Sequence, residues 1–167
     1  LVDSAGLPWE VVNAGLSGEK SAGALQRVRT WLIRQPFDVL VIETGANDML
    51  NGADVDTMRA NIQAIIDTVR AARPNARIVL AGMLAAPNLG PAYVEDFNDA
   101  YPELARENDL TFIPFLLDGV AANPFSFGMR FPVVMLCLAL LLADRGRSVV
   151  VLAALPICCS GILVPGV

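Results

Sequence analysis

Residues 38–48 read Asp-Val-Leu-Val-Ile-Glu-Thr-Gly-Ala-Asn-Asp, an apolar run that stops abruptly in small and turn-forming residues. An unbroken run such as residues 39–42 suits a parallel strand buried on both faces of a sheet. Gly45, Asn47 and Asp48 then fall just past its carboxyl end, where open α/β sheets place their ligands. An asparagine there can aim a side-chain N–H at an oxyanion, and the glycine lets backbone and substrate approach closely. Taken alone, Gly45-Ala-Asn-Asp48 reads first as turn chemistry after a strand, because short motifs also match by chance.

The rest of the chain supplies the context. Residues 9–15 form a first strand, a Gly-containing turn covers residues 16–19, and Ser21 is placed to cap a helix carrying Leu25, Val28, Trp31 and Leu32 at helical spacing. Gln35-Pro36 ends that helix, since a residue before proline avoids the α region. Asp54 is placed to cap a second helix whose apolar face is Met58, Ile62, Ile65, Ile66 and Val69. Residues 77–82 read as another buried strand, followed by a loop over 83–90 rich in Ala, Pro and Gly. Tyr93, Phe97, Tyr101 and Leu104 predict a third helix that Pro102 kinks or splits, and residues 110–115 a last regular strand. Four alternations of strand and helix predict right-handed βαβ crossovers and one mostly parallel sheet with helices on both faces.

Charge and composition remove several functions. The 167 residues carry a net charge of −5, which argues against a nucleic-acid partner. They contain no histidine, so no imidazole base, His-containing triad or His metal ligand is among them. Cys137, Cys158 and Cys159 lack CxxC spacing and read as buried thiols rather than a metal clip; no metal and no cofactor is expected. Leu1 is not an initiating methionine, and no charged-then-apolar leader precedes the first strand, so the sequence reads as a processed chain or, preferably, a fragment.

After Val120 the character changes. Charge almost vanishes, leaving Arg130, Asp144, Arg145 and Arg147 around the apolar stretches 131–143 and 148–167. The two would allow membrane contact through residues 131–167, as a hairpin turning at Asp144-Arg-Gly-Arg, although the first is too short to cross a bilayer by itself. Residues 148–155 also have the β-branched, unbroken apolar look of a central parallel strand.

Four stretches in order, residues 11–19, 41–48, 81–93 and 97–105, resemble the SGNH (GDSL-type) hydrolases, and within them the small bacterial branch with arylesterase, lysophospholipase and acyl-CoA thioesterase activity. The likeness runs from about residue 5 to residue 120. It implies a three-layer α/β/α sandwich with a flavodoxin-like, mostly parallel sheet, and an acyl-ester hydrolase working through a serine nucleophile and an oxyanion hole on a small ester or lipid-like substrate. Members are often periplasmic or secreted. By resemblance Gly18 supplies a backbone N–H and Asn47 a side-chain N–H to the oxyanion hole, with Gly45 and Asp48 in support. Met83, Asn88, Leu89 and Gly90 line the acyl-binding cleft.

Two family blocks are not found. The Gly-Asp-Ser block with the nucleophile belongs upstream of Leu1, and neither Ser4 nor Ser17 replaces it. The final Asp-x-x-His block should follow Asp118-Gly119, where the sequence runs Asn123-Pro-Phe-Ser-Phe-Gly instead. Residues 1–120 are therefore read as an N-terminally truncated hydrolase-like domain. Residues 121–167 are read as an atypical hydrophobic tail, attributed to a reading-frame slip or fusion. The missing first strand should leave a gap in mid-sheet, which residues 148–155 could fill. A non-catalytic relative binding acyl chains or a partner, and a membrane-anchored protein, are the alternatives.

Overall fold

The computed structural model describes residues 10–115 and, as backbone only, 148–153. Five strands form one sheet: β1 (Glu10–Asn13), β2 (Val39–Glu43), β3 (Arg77–Ala81), β4 (Thr111–Ile113) and β5 (Ser148–Ala153). Their order is β1-β5-β2-β3-β4 and every pairing is parallel. The helices are α1 (Ser21–Thr30), the short α2 (Ala46–Leu50), α3 (Val55–Ala72) and α4 (Pro91–Glu107).

The steps from β1 to β2, β2 to β3 and β3 to β4 all run the same way across the sheet. Right-handed crossovers then put α1, α3 and α4 on one face. There Leu40, Ile42, Ile78 and Leu80 pack with Val28, Leu32, Ile62, Ile66, Phe97 and Leu104 in one core. The opposite row, Val39, Val41, Val79 and Ala81, lies outside that cluster yet is at most 1% exposed. A sheet buried on both faces explains why β2 is apolar without alternation, as the three-layer α/β/α class requires.

The expected gap in mid-sheet is closed. β5 lies between β1 and β2, its Val150 opposite Val12 on one side and Leu40 on the other. The remaining tail readings, on residues 116–147 and 154–167, lie outside the described residues, as do Ser4 and the cysteines. Among the described residues no helix is long and apolar enough to cross a membrane.

The helix boundaries match the sequence pattern at some ends and not at others. Asp54 caps α3, its Oδ2 accepting from the Thr57 N–H and hydroxyl at 2.8 Å, and all five predicted face residues are buried. Ser21 is not the cap of α1; Lys20 holds that position without a side-chain bond, and Ser21 is the first helical residue. Trp31 is not core either. The helix ends at Thr30, and a 3-10 turn over Leu32–Arg34 buries Leu32 while Trp31 stays 39% exposed. Pro102 neither splits nor ends α4. The ring faces solvent, and burial of Phe97, Tyr101, Leu104 and Ala105 on both sides of it outweighs one lost backbone bond.

Candidate active site

The turn between β1 and α1 is built around two glycines. Asn13 Oδ1 accepts from the Gly15 N–H at 2.9 Å, and the Glu19 N–H reaches the Leu16 carbonyl at 3.3 Å. Gly18 has φ 80°, a left-handed conformation that side-chain-bearing residues rarely adopt. Arg27, two turns along α1, reaches back over this segment. Its Nε and one terminal nitrogen donate to the two Glu19 carboxylate oxygens at 2.9 and 2.7 Å, and its other nitrogen donates to the Ala14 carbonyl.

Asn47 arrives from the carboxyl end of β2. Gly45, at φ 112°, breaks the strand and starts α2, which brings Asn47 and Asp48 inward, 3% and 4% exposed. The Asn47 amide donates to the Glu19 carbonyl at 3.0 Å, one residue beyond Gly18. The two sequence-predicted oxyanion donors therefore stand on adjoining segments at one sheet edge. Asp48 serves α1: its carboxylate accepts from the Ser21 N–H at 2.8 Å and the Ser21 hydroxyl at 2.7 Å, while Asn61 of α3 donates to the same hydroxyl at 3.0 Å. An aspartate from another segment thus satisfies a helix N-terminus that has no local cap.

The 83–90 loop borders the same edge. Its Ala86 N–H points at the Met49 sulfur of α2 at 3.3 Å, its Ala85 N–H donates to Asn98 Oδ1 at 2.8 Å, and Tyr93 donates to the Ala53 carbonyl at 3.0 Å. Met83 packs half-buried against the core. Asn88 and Leu89 sit exposed on a 3-10 turn over Pro87–Leu89, and Gly90, φ 91°, turns the chain into α4. Leu16, Leu50, Leu84 and Leu89 are exposed on the loops and short helix that follow β1, β2 and β3, giving this edge an apolar rim.

Sequence reasoning missed Glu43 and Tyr101 here. Tyr101 was read only as helical core; its hydroxyl donates to the Thr44 carbonyl at 2.9 Å, and burial raises its pKa. Glu43 is 3% exposed and, among the described residues, its Oε2 has no hydrogen-bond partner, as is true of Thr44 Oγ1. A lone acidic residue closing an apolar run was the available signal. Burial pushes the Glu43 carboxyl up from 4.5 to about 7. Below the lower value, folded and unfolded chains are both protonated. Between the two, only the unfolded chain ionises, so stability should fall with rising pH by about 3 kcal/mol and then level off. Glu43→Gln should lack this loss, which urea melts of both chains from pH 4 to 8 would read. Parallel curves for the two proteins would disprove it.

The profile of the GDSL-like lipase/acylhydrolase family matches residues 2–129. The chain belongs to this family. Esterase TesA of Pseudomonas aeruginosa is 36% identical over 115 residues, which cover 69% of this chain and 56% of that protein. Thioesterase 1/protease 1/lysophospholipase L1 of Escherichia coli K12 is 33% identical over 114 residues, covering 68% and 54%. The chain thus spans about half the length of the curated relatives it matches. The crystal structure of TesA superposes with a TM-score of 0.73 at 29% identity, covering 85% of this chain and 82% of that one. Membership agrees with the parallel sheet and with a polar site at its carboxyl edge.

Proposed function

We propose that this chain carries the oxyanion-binding half of an acyl-ester hydrolase. The observation behind the reading is the bond from the Asn47 amide to the Glu19 carbonyl, which seats that amide beside the left-handed Gly18 turn. Attack on an ester carbonyl concentrates negative charge on one oxygen. The Gly18 backbone N–H and the Asn47 amide are the donors for it, and each well-aimed donor is worth on the order of 10²–10³ in rate. Gly45 and Asp48 hold them: the first lets the chain turn sharply, the second ties α2 to α1. Met83, Asn88, Leu89 and Gly90 form the acyl-binding side, and the exposed leucines suit a hydrocarbon chain. The relatives' names, an esterase and a thioesterase/lysophospholipase, make aryl, thio and lysophospholipid esters the substrates to try first.

The 167 residues include no imidazole, and a serine hydroxyl is a weak nucleophile without a base. This absence favours a second reading, in which the polypeptide binds acyl chains without cleaving them. Turnover of p-nitrophenyl butyrate separates the two. The 167-residue polypeptide should show at most the roughly 10³–10⁴-fold residual advantage over water that survives loss of a triad. With residues 121–167 replaced by a relative's Asp-x-x-His segment, and the relative's Gly-Asp-Ser strand joined upstream to take the sheet position that β5 fills here, it should gain enzymatic turnover, and Asn47→Ala in that hybrid should lower kcat by about 10²–10³. A folded hybrid that stays inactive, or one indifferent to Asn47→Ala, would remove the hydrolase reading.

A further inference from the structure

Glu19 is tied on two sides. Its side chain takes both arms of the Arg27 fork, and its main-chain carbonyl takes the Asn47 amide. The third Arg27 contact, to the Ala14 carbonyl, fixes the other end of the same turn. Gly23 completes the arrangement. A β-carbon there would stand 2.8 Å from Glu19 Cγ, so only a glycine lets the Glu19 side chain fold back over the first turn of α1. A glycine inside a helix costs up to about 1 kcal/mol relative to alanine, and this packing accounts for one in the first turn of α1.

We infer that Arg27 and Glu19 are positioning residues: their forked ion pair sets the Gly18 turn against Asn47 and so fixes the spacing of the two oxyanion donors. The inference rests on the reading of Gly18 and Asn47 as those donors. The fork suits the task. A guanidinium makes two parallel bonds to one carboxylate and a third in its own plane, whereas a lysine ammonium is a single rotatable point charge. The pair is also sheltered, with the Arg27 and Glu19 side chains 23% and 8% exposed, so it is held better than a surface pair.

The test uses the 167-residue polypeptide labelled with ¹⁵N, its variants Arg27→Gln, Arg27→Lys and Gly23→Ala, and butylphosphonate as an oxyanion probe. In Arg27→Gln the Glu19 and Ser21 backbone amides should lose about tenfold in hydrogen-exchange protection, and the Gly18 backbone and Asn47 side-chain amide signals should move, while α3 and β2 amides stay within about twofold. Arg27→Lys should recover less than half of the change. Gly23→Ala, which presses on Glu19 from the other side with Arg27 intact, should move the same signals and serves if Arg27→Gln does not fold. In the unaltered chain the probe should shift the Gly18 N–H and the Asn47 amide, and Arg27→Gln should weaken that binding about tenfold or more. Unchanged turn amides, full rescue by lysine, or a loss of protection spread evenly over α3 and β2 would overturn the positioning role. A probe that shifts neither Gly18 nor Asn47 in the unaltered chain would instead overturn the oxyanion reading, with the turn's protection still deciding the clamp.

Discussion

Gly45→Ala is expected to cost about 4 kcal/mol or to prevent folding. Two terms add. The backbone at Gly45 has φ 112°, where an L-residue is strained by about 1–3 kcal/mol. The new methyl would also stand 2.1 Å from the Tyr101 hydroxyl and 2.7 Å from the Met58 sulfur, both fully buried. Overpacking of that kind costs another 1–3 kcal/mol or so. Tyr101 cannot retreat cheaply, because its hydroxyl is committed to the Thr44 carbonyl. Against a total stability of about 5–15 kcal/mol for a typical domain, such a loss is severe. Gly52→Ala is the control: its φ is 62° but no atom lies within 4 Å of the added carbon, so it should cost only about 1 kcal/mol. Combining Gly45→Ala with Tyr101→Phe should recover part of the loss, since removing the hydroxyl leaves ring carbon Cζ at 3.3 Å as the nearest Tyr101 contact. Urea melts would settle the comparison, and equal costs at Gly45 and Gly52 would refute it.

The second large effect is expected at β5. Val150 sits mid-strand, opposite Val12 and Leu40. Val150→Pro removes a ladder donor from a strand paired on both edges, where proline is not normally found. The cost should be about 3 kcal/mol or more. Its distribution is the sharper expectation. Among the described residues β1 has no sheet partner except β5, whereas β2 keeps β3 and β3 keeps β4. The Val11 and Val12 amides should therefore exchange freely in the variant while Val79 and Leu80 remain protected. Retained protection at Val11 and Val12 would show that β1 is held without β5.

What the sequence discloses here follows from how local each signal is. α3 was legible because its cap and its apolar face lie within one helix, and β2 because a doubly buried strand needs no alternation. Asn47 beside Gly18 came from ordered blocks, which also carried the family. The errors share a long-range cause. Ser21 looks like a cap from its neighbours, but its partner Asp48 is 27 residues away. Pro102 looks like a helix breaker until the buried residues on either side of it are counted. Glu19 reads as part of a turn and Arg27 as an ordinary helix-surface charge, and only the fold-back over Gly23 brings them together. Residues 148–155 suited strand, helix or membrane alike, because nothing nearby says which two edges await them.

The sheet's order has a consequence for how the chain reaches its native state. β2, β3 and β4 are neighbours in sequence and in space, so with α3 and α4 they can assemble through short loop closures. The middle of the sheet cannot. Among the described strands, β1 and β5 are the pair farthest apart in sequence, and β1 joins the sheet only through β5. Contacts of such separation are slow to find. On a ribosome, every residue before β5 must emerge while β1 waits and β2 shows an unpaired, apolar edge. The β1 side of the sheet, which leads into the Gly18 turn, is thus the last to be completed, and for that interval β1 and the open edge of β2 are the parts most exposed to pairing with the wrong strand.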